Sequence, residues 1–412
     1  MAGPIDTLII GGGISGLSCA RRLGDARRDF LLVTDRLGGR MHHSPGGSMN
    51  FGATYVTADC RRVSRYVGRG LPVRLHEVHC LNHGEATTLF HWPNLAFARP
   101  AARLIRRLRE LRATLHAFRK EAEYTPQKEL RPSYPLIDRY ARQPAGELIE
   151  ELHLGPLHDH YFKLAFQATC FIDPLEANAL FYLAVLFPVI VRTWVADFTN
   201  TYDLLTAGYR EKIRIDRVTA LTRDGQGLWE IRTAADQVHL ASNVVIAAPY
   251  HNARQLYAVP RPHRCTAVMV LHVRGRRKPP FAGRRFVLVP ANRTGVILVW
   301  RQRSGVDQVF SLCREPDLAG IYEASEVLDS VSWNTAIVVS GADWAPLVLE
   351  PNLYLAGDYN LCGLEDAFIT GLCAANQIIR EQPPRRKSYE RFQVRLHRDR
   401  LGGRRTVHRR PA

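Results

Sequence analysis

The clearest pattern near the start of the chain is an apolar run at residues 5–10, followed by a helix-like segment at 17–23. A second apolar run at 29–33 ends in Thr34-Asp35. Short apolar runs separated by a segment of helical period are typical of a strand–helix–strand unit in a parallel sheet. The opening pattern therefore predicts an α/β protein.

An amphipathic helix is predicted next, in the region 103–119. Leu104, Leu108, Leu111, Leu115 and Phe118 recur at helical spacing on one face. The arginines around them are Arg103, Arg106, Arg107, Arg109 and Arg112. We expect this basic helix to cap an apolar core, with peripheral contact to a membrane surface as the alternative.

The most apolar segment is 177–195, but it is too short to span a bilayer. Its longest uncharged run, 177–191, has 15 residues, whereas a membrane span needs about 20. Pro188 and Arg192 weaken that interpretation further. We expect a buried helix that bends or ends near Pro188, or the wall of an apolar cavity.

From residue 213 the pattern changes to short β-like runs rich in Val and Phe. The predicted strands are 218–221, 229–233, 238–240, 243–249, 265–274, 286–289, 296–301, 308–312 and 352–356, and a final helix is predicted at 364–380.

The first candidate site lies between the opening strand and helix. Gly11-Gly12-Gly13-Ile14-Ser15-Gly16 has the G-x-G-x-x-G spacing of a dinucleotide-binding turn in its proper context. Gly11 makes the tight turn, Gly13 lets the backbone approach a pyrophosphate, and Gly16 lets helix and strand pack closely. The amides at the helix N-terminus then face the phosphate charge. Asp35 stands near the position, ~20 residues on, of the acid that binds a ribose hydroxyl.

Charge and cysteine usage narrow the class of protein. The chain of 412 residues carries a net charge of +17, and +9 of this falls within 383–412. We interpret that arginine-rich stretch as a solvated tail, with contact to an anionic surface as the alternative. The eight cysteines form no C-x-x-C pair and show no zinc-ligand spacing, so we predict no metal site. The start of the chain shows no signal peptide pattern, and we expect a cytoplasmic protein.

Four landmarks, in order, resemble the flavin-dependent amine oxidase and phytoene desaturase superfamily. They are the glycine turn, Gly38-Gly39-Arg40, the Val218 strand region with 244–249, and 353–358 ending in Gly357-Asp358. The last is the most telling, because a simple nicotinamide enzyme needs no second Gly-Asp site near its C-terminus. The resemblance implies noncovalent FAD, since no cysteine lies in a covalent-flavin motif.

The resemblance also implies roles for individual residues. Arg40, after Gly39, would meet the pyrophosphate, Val218 the adenine, and Asp358 the ribityl chain or the pyrophosphate. Gly52, Ala53 and Thr54 form the segment beside the flavin, and the amides near Leu364 and Glu365 would face its pyrimidine edge. Residues expected to shape the substrate pocket are Tyr55, Trp300, Tyr359 and Phe368.

The chain departs from the superfamily in three places. The expected ribose acid falls on Thr34, so either Asp35 binds the ribose after a small shift or Thr34 contacts it more weakly. Leu364 follows Gly363 where monoamine oxidases have an aromatic residue, so half of the amine-binding cage is missing. None of the six lysines can be placed beside the flavin N5. We assign no catalytic residue from the sequence.

The sequence therefore predicts a Rossmann-like FAD-binding domain built from 1–57, 206–260 and 346–384. A mixed α/β substrate domain, 58–205 and 261–345, is inserted in it, and 385–412 forms the tail. The expected function is oxidation of a hydrophobic organic small molecule by hydride transfer to flavin, without nucleic acid as a partner. The alternatives are a renalase-like flavoprotein that oxidises NAD(P)H, and a non-catalytic flavin binder recruited to membranes or nucleic acid.

Overall fold

The computed structural model describes residues 3–44, 49–82, 84–91, 96–291 and 294–381. The predicted tail, 385–412, lies outside these residues.

Most helices lie in the first half of the chain, and one closes the described part. In chain order they are α1 (Ile14–Asp25), α2 (Ala98–Glu121), α3 (Gln127–Leu130), α4 (Pro135–Arg142), α5 (Ala145–Glu151), α6 (Gly155–Leu157), α7 (Lys163–Cys170), α8 (Ala179–Val185), α9 (Thr201–Thr206), α10 (Tyr250–Leu256) and α11 (Leu364–Glu381).

Strands open the chain and dominate its second half. In chain order they are β1 (Ile5–Gly12), β2 (Phe30–Leu37), β3 (Tyr55–Thr57), β4 (Gly68–Val73), β5 (Val78–Asn82), β6 (Glu85–Thr88), β7 (Thr193–Asp197), β8 (Ile213–Ile215), β9 (Val218–Arg223), β10 (Trp229–Thr233), β11 (Val238–Ile246), β12 (Arg264–Arg277), β13 (Phe286–Leu288), β14 (Val296–Arg301), β15 (Asp307–Ser311), β16 (Tyr322–Val339), β17 (Val348–Glu350) and β18 (Leu353–Leu355).

The first sheet gathers segments that are far apart in the sequence. Its strand order is β17-β18-β11-β1-β2-β8, and β10 and β9 continue from β11. β1 pairs in parallel with β2 and β11, so that Ile9 lies between Leu32 and Val245, and all three side chains are fully buried. Strands buried on both faces have continuous apolar runs, as seen here. The predicted α/β class is confirmed, whereas the exact domain limits stay predictions.

A second sheet and a helical layer form the rest of the molecule. The sheet has the order β16-β12-β15-β14-β13-β5-β6. Helices α2 to α8 share a separate apolar core, and the predicted face of α2, from Leu104 to Phe118, is buried in it. The basic helix is therefore a cap on a core, as the pattern predicted.

The apolar segment 177–195 is divided at Pro188, as predicted. α8 ends at Val185, and a single 3-10 turn, Phe187–Val189, carries the proline before the chain extends into β7. Ala184 and Val185 face a cavity, so both predicted roles apply to one segment. In the described part of the chain, no helix has the length and apolar character needed to cross a membrane.

The prediction of two separate strands at 238–240 and 243–249 is wrong. The runs 238–240 and 243–249 form one strand, β11, which ends at Ile246. The two runs are continuous because the side-chain amide of buried Asn243 donates to the Asp6 carbonyl at 2.9 Å, and the pairing with β1 continues past Asn243. The long strand β16 was not predicted. Most of its first twelve residues are exposed and include Glu323, Glu326 and Asp329, so no apolar alternation marks it.

Candidate cofactor and substrate cavity

A cavity of about 860 Å³ opens beside the carboxyl ends of β1, β2, β11 and β18. Ligands in open α/β sheets bind at this edge, where the strands hand over to loops and helices. Its wall is drawn from all three distant parts of the chain, including Gly13, Val218 and Asp358.

The glycine turn contributes Gly11, Gly13, Ile14 and Ser15 to the wall. Gly16 is not on the wall and acts in packing, since a Cβ there would lie 1.9 Å from the Gly11 carbonyl oxygen. A Cβ on Gly13 would approach nothing nearer than the Gly39 Cα at 4.0 Å. Gly16 is therefore required by the fold, whereas the space above Gly13 is open to a ligand.

The N-terminus of α1 is free to bind an anion. Gly13 caps it without a side-chain hydrogen bond, and its first turn has no acidic residue. The first amides of a helix lack intrahelical partners and carry the positive end of the helix dipole. A negatively charged group above Gly13 would accept hydrogen bonds from these amides and interact favourably with the helix dipole.

At the end of β2 the structure distinguishes Thr34 from Asp35. The buried Thr34 hydroxyl accepts from the Gly12 amide at 2.9 Å and donates to the Arg36 carbonyl at 2.7 Å, so it holds the glycine turn. Asp35 is exposed on the cavity wall. Asp35, and not Thr34, is therefore the side chain available to a ligand at this end of the wall.

Arg40 and Asp358 form a bidentate ion pair on the wall. Arg40 Nη1 donates to Asp358 Oδ2 at 2.7 Å and Nη2 donates to Oδ1 at 2.5 Å. Burial alone would lower the pKa of Arg40, but the Asp358 carboxylate outweighs burial and raises it. Arg40 also donates to the Ala336 carbonyl at 3.0 Å, so its guanidinium is fixed.

The segment Gly52-Ala53-Thr54 lies against the Arg40 backbone and on the wall. The Ala53 amide donates to the Arg40 carbonyl at 2.8 Å, and a Cβ on Gly52 would stand 1.9 Å from that oxygen. Val218, at the start of β9, faces the same cavity.

The N-terminus of α11 completes this part of the wall with Leu364 and Glu365. The Glu365 carboxylate is only 3% exposed and accepts from the backbone amides of Arg62 at 3.1 Å and Val63 at 3.0 Å. The side chain therefore serves the fold, and the backbone amides of the first turn are the groups available to a ligand.

A second part of the wall is mainly apolar. It comes from α7, α8, the turn after α8 and the second sheet, and consists of Ala168, Phe171, Ala184, Val185, Phe187, Pro188, Val268, Val270 and Phe310. Tyr55, Thr169 and Tyr359 add hydroxyl groups. Burial raises the pKa of Tyr55 and of Tyr359, so both phenols stay protonated at neutral pH.

Two thiols on the wall are poor nucleophiles. Burial raises the pKa of Cys60 and of Cys362, which keeps both protonated. Among the described residues that line the cavity there is no lysine.

Comparison with known proteins identifies the fold of the chain. A model of the NAD(P)-binding Rossmann-like domain matches residues 9–69, whereas no curated protein matches the chain. Among solved structures, a cofactor-binding triple mutant of putrescine oxidase is similar over 92% of this chain and 99% of its own, with 14% identity and a TM-score of 0.63. The chain has the fold of this amine oxidase.

Two further structures have this amine oxidase fold in common with the chain. Cyclohexylamine oxidase from Brevibacterium oxydans is similar over 92% of this chain and 98% of its own, at 15% identity and a TM-score of 0.59. A CLA-producing fatty acid isomerase from P. acnes is similar over 92% and 99%, at 14% identity and a TM-score of 0.65. The fold therefore hosts more than one reaction.

In this amine oxidase fold two predicted pocket residues do not line the cavity. Trp300 is 5% exposed and stacks on Phe286, with ring centroids 5.5 Å apart. Phe368 lies one turn into α11, where its backbone carbonyl accepts from Ser18 Oγ of α1 at 2.9 Å and its ring stacks on Tyr66. Both are core residues. Of the four predicted pocket residues, Tyr55 and Tyr359 do line the cavity.

Several residues on the cavity wall were not predicted from the sequence. Thr169, Phe171 and Trp333 belong to elements whose facing depends on tertiary packing, and Trp333 lies on the unpredicted strand β16. Arg119 was hidden among the many arginines of α2. Its helical position, next to the buried Phe118 and at the edge of the apolar face, was the available signal.

Proposed function

We propose that the protein is an FAD-dependent oxidoreductase that oxidises a neutral, hydrophobic organic molecule. FAD is long and needs contacts from distant segments. One cavity lined by the glycine turn, Asp35, Arg40, Val218, Asp358 and the N-terminus of α11 supports this cofactor. That convergence is the observation that carries the proposal.

The residues present fit noncovalent FAD. The free N-terminus of α1 above Gly13 suits a pyrophosphate, and the exposed Asp35 suits a ribose. Each Asp358 oxygen has a further lone pair beside its bond to Arg40, so Asp358 remains able to accept from a hydroxyl of the ribityl chain. When bound, the flavin accepts a hydride at N5.

The protein groups define the substrate. Asp35 and Asp216 lie next to Thr34, at the end of β2. The other four carboxylates on the described wall are neutralised: Asp358 by Arg40, Asp366 by Arg119, Asp59 by Arg112 and Glu365 by Arg62. An ammonium ion would find no free counterion among them, and burying an unpaired charge is costly. The apolar side chains favour hydrocarbon burial and exclude water, while the protonated Tyr55 hydroxyl is able to donate to a neutral oxygen.

The proposal is tested by supplying FAD to the purified protein and then denaturing it with acid. Yellow colour lost to the supernatant as free FAD supports noncovalent binding, and a protein that takes up no FAD overturns the proposal.

An anaerobic screen of amines, porphyrinogens and polyenes, followed by flavin absorbance, then tests the substrate class. Putrescine is the matched polar probe. Reduction of the flavin by putrescine but not by the apolar probes would contradict a hydrophobic substrate. Fast bleaching of the flavin absorbance by NADH would favour the renalase-like alternative over the proposed function.

A further inference from the structure

Helix α11 begins with two carboxylates at the cavity. Glu365 and Asp366 lie in its first turn, line the wall, and have side chains only 3% and 1% exposed. A carboxylate in the first turn opposes the positive end of the helix dipole. Without neighbouring cations, these two carboxylates would make this part of the wall electronegative.

Arg119, near the end of α2, neutralises Asp366. Its Nε donates to Asp366 Oδ1 at 2.9 Å and its Nη2 donates to Oδ2 at 2.6 Å. Burial alone would lower the pKa of Arg119, but Asp366 outweighs it and raises that pKa. Arg62 has the equivalent relation to Glu365, with Nη1 3.3 Å from Oε1.

Arg119 differs from the other arginines of its helix. Arg99, Arg103, Arg106 and Arg109 are exposed, and Arg107 pairs with Glu110 and Glu151 away from the cavity. Arg112 is also exposed and pairs with the wall residue Asp59, but it is not itself on the wall. Among the described arginines of α2, Arg119 is the one on the cavity wall. A buried ion pair is weak evidence for stability when it is compared with well-packed apolar residues, so a role of this pair toward the cavity is open to test.

We propose that Arg119 is a positioning residue that cancels the charge of Asp366 and so keeps the N-terminus of α11 electropositive toward the bound cofactor. The inference rests on the proposed function and deepens it. An electropositive helix end stabilises the negative charge that a flavin gains on its pyrimidine ring when a nucleophile or hydride adds at N5. Arg119 acts through the helix end and does not itself react.

Sulfite is the probe, because its sulfur lone pair forms a bond to flavin N5 and the charge passes to the pyrimidine ring. The measurement is the sulfite dissociation constant of the FAD-loaded full chain. We expect R119Q to raise this constant on the order of tenfold, because it leaves Asp366 uncompensated. D366N lowers it by a similar factor, and the R119Q/D366N double variant returns close to the wild type.

Two controls separate charge from structure. R107Q removes an arginine of the same helix from a pair outside the cavity, and we expect the wild-type constant. R119K keeps the charge, and we expect a constant within about threefold of the wild type, well inside the tenfold charge effect. If R119Q fails to fold, D366N still gives the opposite and decisive shift.

The outcomes distinguish this inference from the proposed function. Constants for R119Q and D366N that equal the R107Q value overturn the role of Arg119 while FAD binding stands. Shifts of the same sign in both variants also overturn it, since a disturbed structure and not charge would then explain them. A wild-type chain that binds no FAD overturns both.

Discussion

Arg40 and Asp358 are 318 positions apart in the chain and share two hydrogen bonds of 2.7 and 2.5 Å. The pair joins the loop after β2 to the loop after β18, on opposite sides of β1 and β11 in the sheet. Each residue belongs to a different landmark of the sequence. The pair thereby holds two halves of the predicted cofactor site at a fixed distance.

Replacing Asp358 should weaken FAD binding. D358A removes a hydrogen-bond acceptor from the cavity and leaves Arg40 without its carboxylate partner. Each charge-assisted hydrogen bond lost is worth about 1.5–3 kcal/mol, which corresponds to roughly ten- to a hundredfold in FAD affinity. FAD titration of the apo-protein measures this. Wild-type affinity in a folded D358A variant would contradict a cofactor role for Asp358, and unchanged affinity in D358N would show that the charge is dispensable.

Two glycines of the same turn should respond differently to alanine. G13A places a methyl group in open space, with the nearest atom 4.0 Å away, so we expect an unchanged melting temperature and much weaker FAD binding. G16A forces a methyl group to within 1.9 Å of the Gly11 carbonyl and should destabilise the protein whether or not FAD is present. Thermal unfolding with and without FAD separates the two. Full FAD protection of G13A would contradict a phosphate site at this turn.

Thr34 and Asp35 form a second matched pair. D35A should lower FAD affinity with little effect on the free energy of unfolding, because Asp35 is exposed on the wall. T34V should cost about 1–3 kcal/mol of stability, because the Gly12 amide loses its acceptor. Urea unfolding and FAD titration on both variants test this. The reverse assignment, with T34V losing FAD and D35A losing stability, would sink the present one.

His272 should make the protein sensitive to acid. It is fully buried beside Phe51, its Nε2 lies 3.3 Å from the Gln302 amide, and burial lowers its pKa to about 4 while Asp329 opposes the shift. The unfolded chain, with a histidine pKa of ~6.5, binds the proton more readily, so the stability tied to neutral His272 is present above ~6.5 and lost as pH falls toward 4. H272Q removes this loss. Equal pH slopes in urea unfolding of wild type and H272Q would rule it out.

The exposed face of α2 is the candidate for membrane contact. Arg103 and Arg106 are exposed while the apolar face is committed to the core, so we expect salt-sensitive binding to anionic vesicles and loss of part of it in R103E/R106E. R303E/R314E makes the same charge change at exposed sites elsewhere. Co-sedimentation with vesicles that contain phosphatidylserine, against phosphatidylcholine alone, measures it. Equal losses in both double variants would assign the effect to net charge and not to the helix.

The wall residues at the edge of the first sheet were predicted from the sequence better than those of the apolar part of the wall, for a physical reason. The glycine turn, Arg40 and Asp358 lie where a strand meets a loop, and local chain geometry fixes their positions. The pocket side chains depend on how a helix rotates against its neighbours. The Phe368 ring therefore stacks on Tyr66 and Trp300 stacks on Phe286, although both lie in elements whose type was predicted correctly.

The same limit explains the missed strand and the missed arginine. β16 is held by antiparallel pairing with β12 along nearly its whole length, and its exposed residues carry no apolar alternation. Arg119 differs from its neighbours in α2 through a partner, Asp366, that lies 247 positions away. Pairings across such distances leave no periodic signal in a single sequence.

The central place of β1 has a consequence for biosynthesis. Among the strands of this sheet β1 is made first, whereas β11 and β18, on one side of it, come much later in the chain, at 238–246 and 353–355. A nascent chain therefore carries an open parallel edge until β11 has been made, and long-range pairing of this kind is slow. We expect the growing chain to depend on chaperones during that interval, and the cavity to bind a ligand only once the first turn of α11 has also been made.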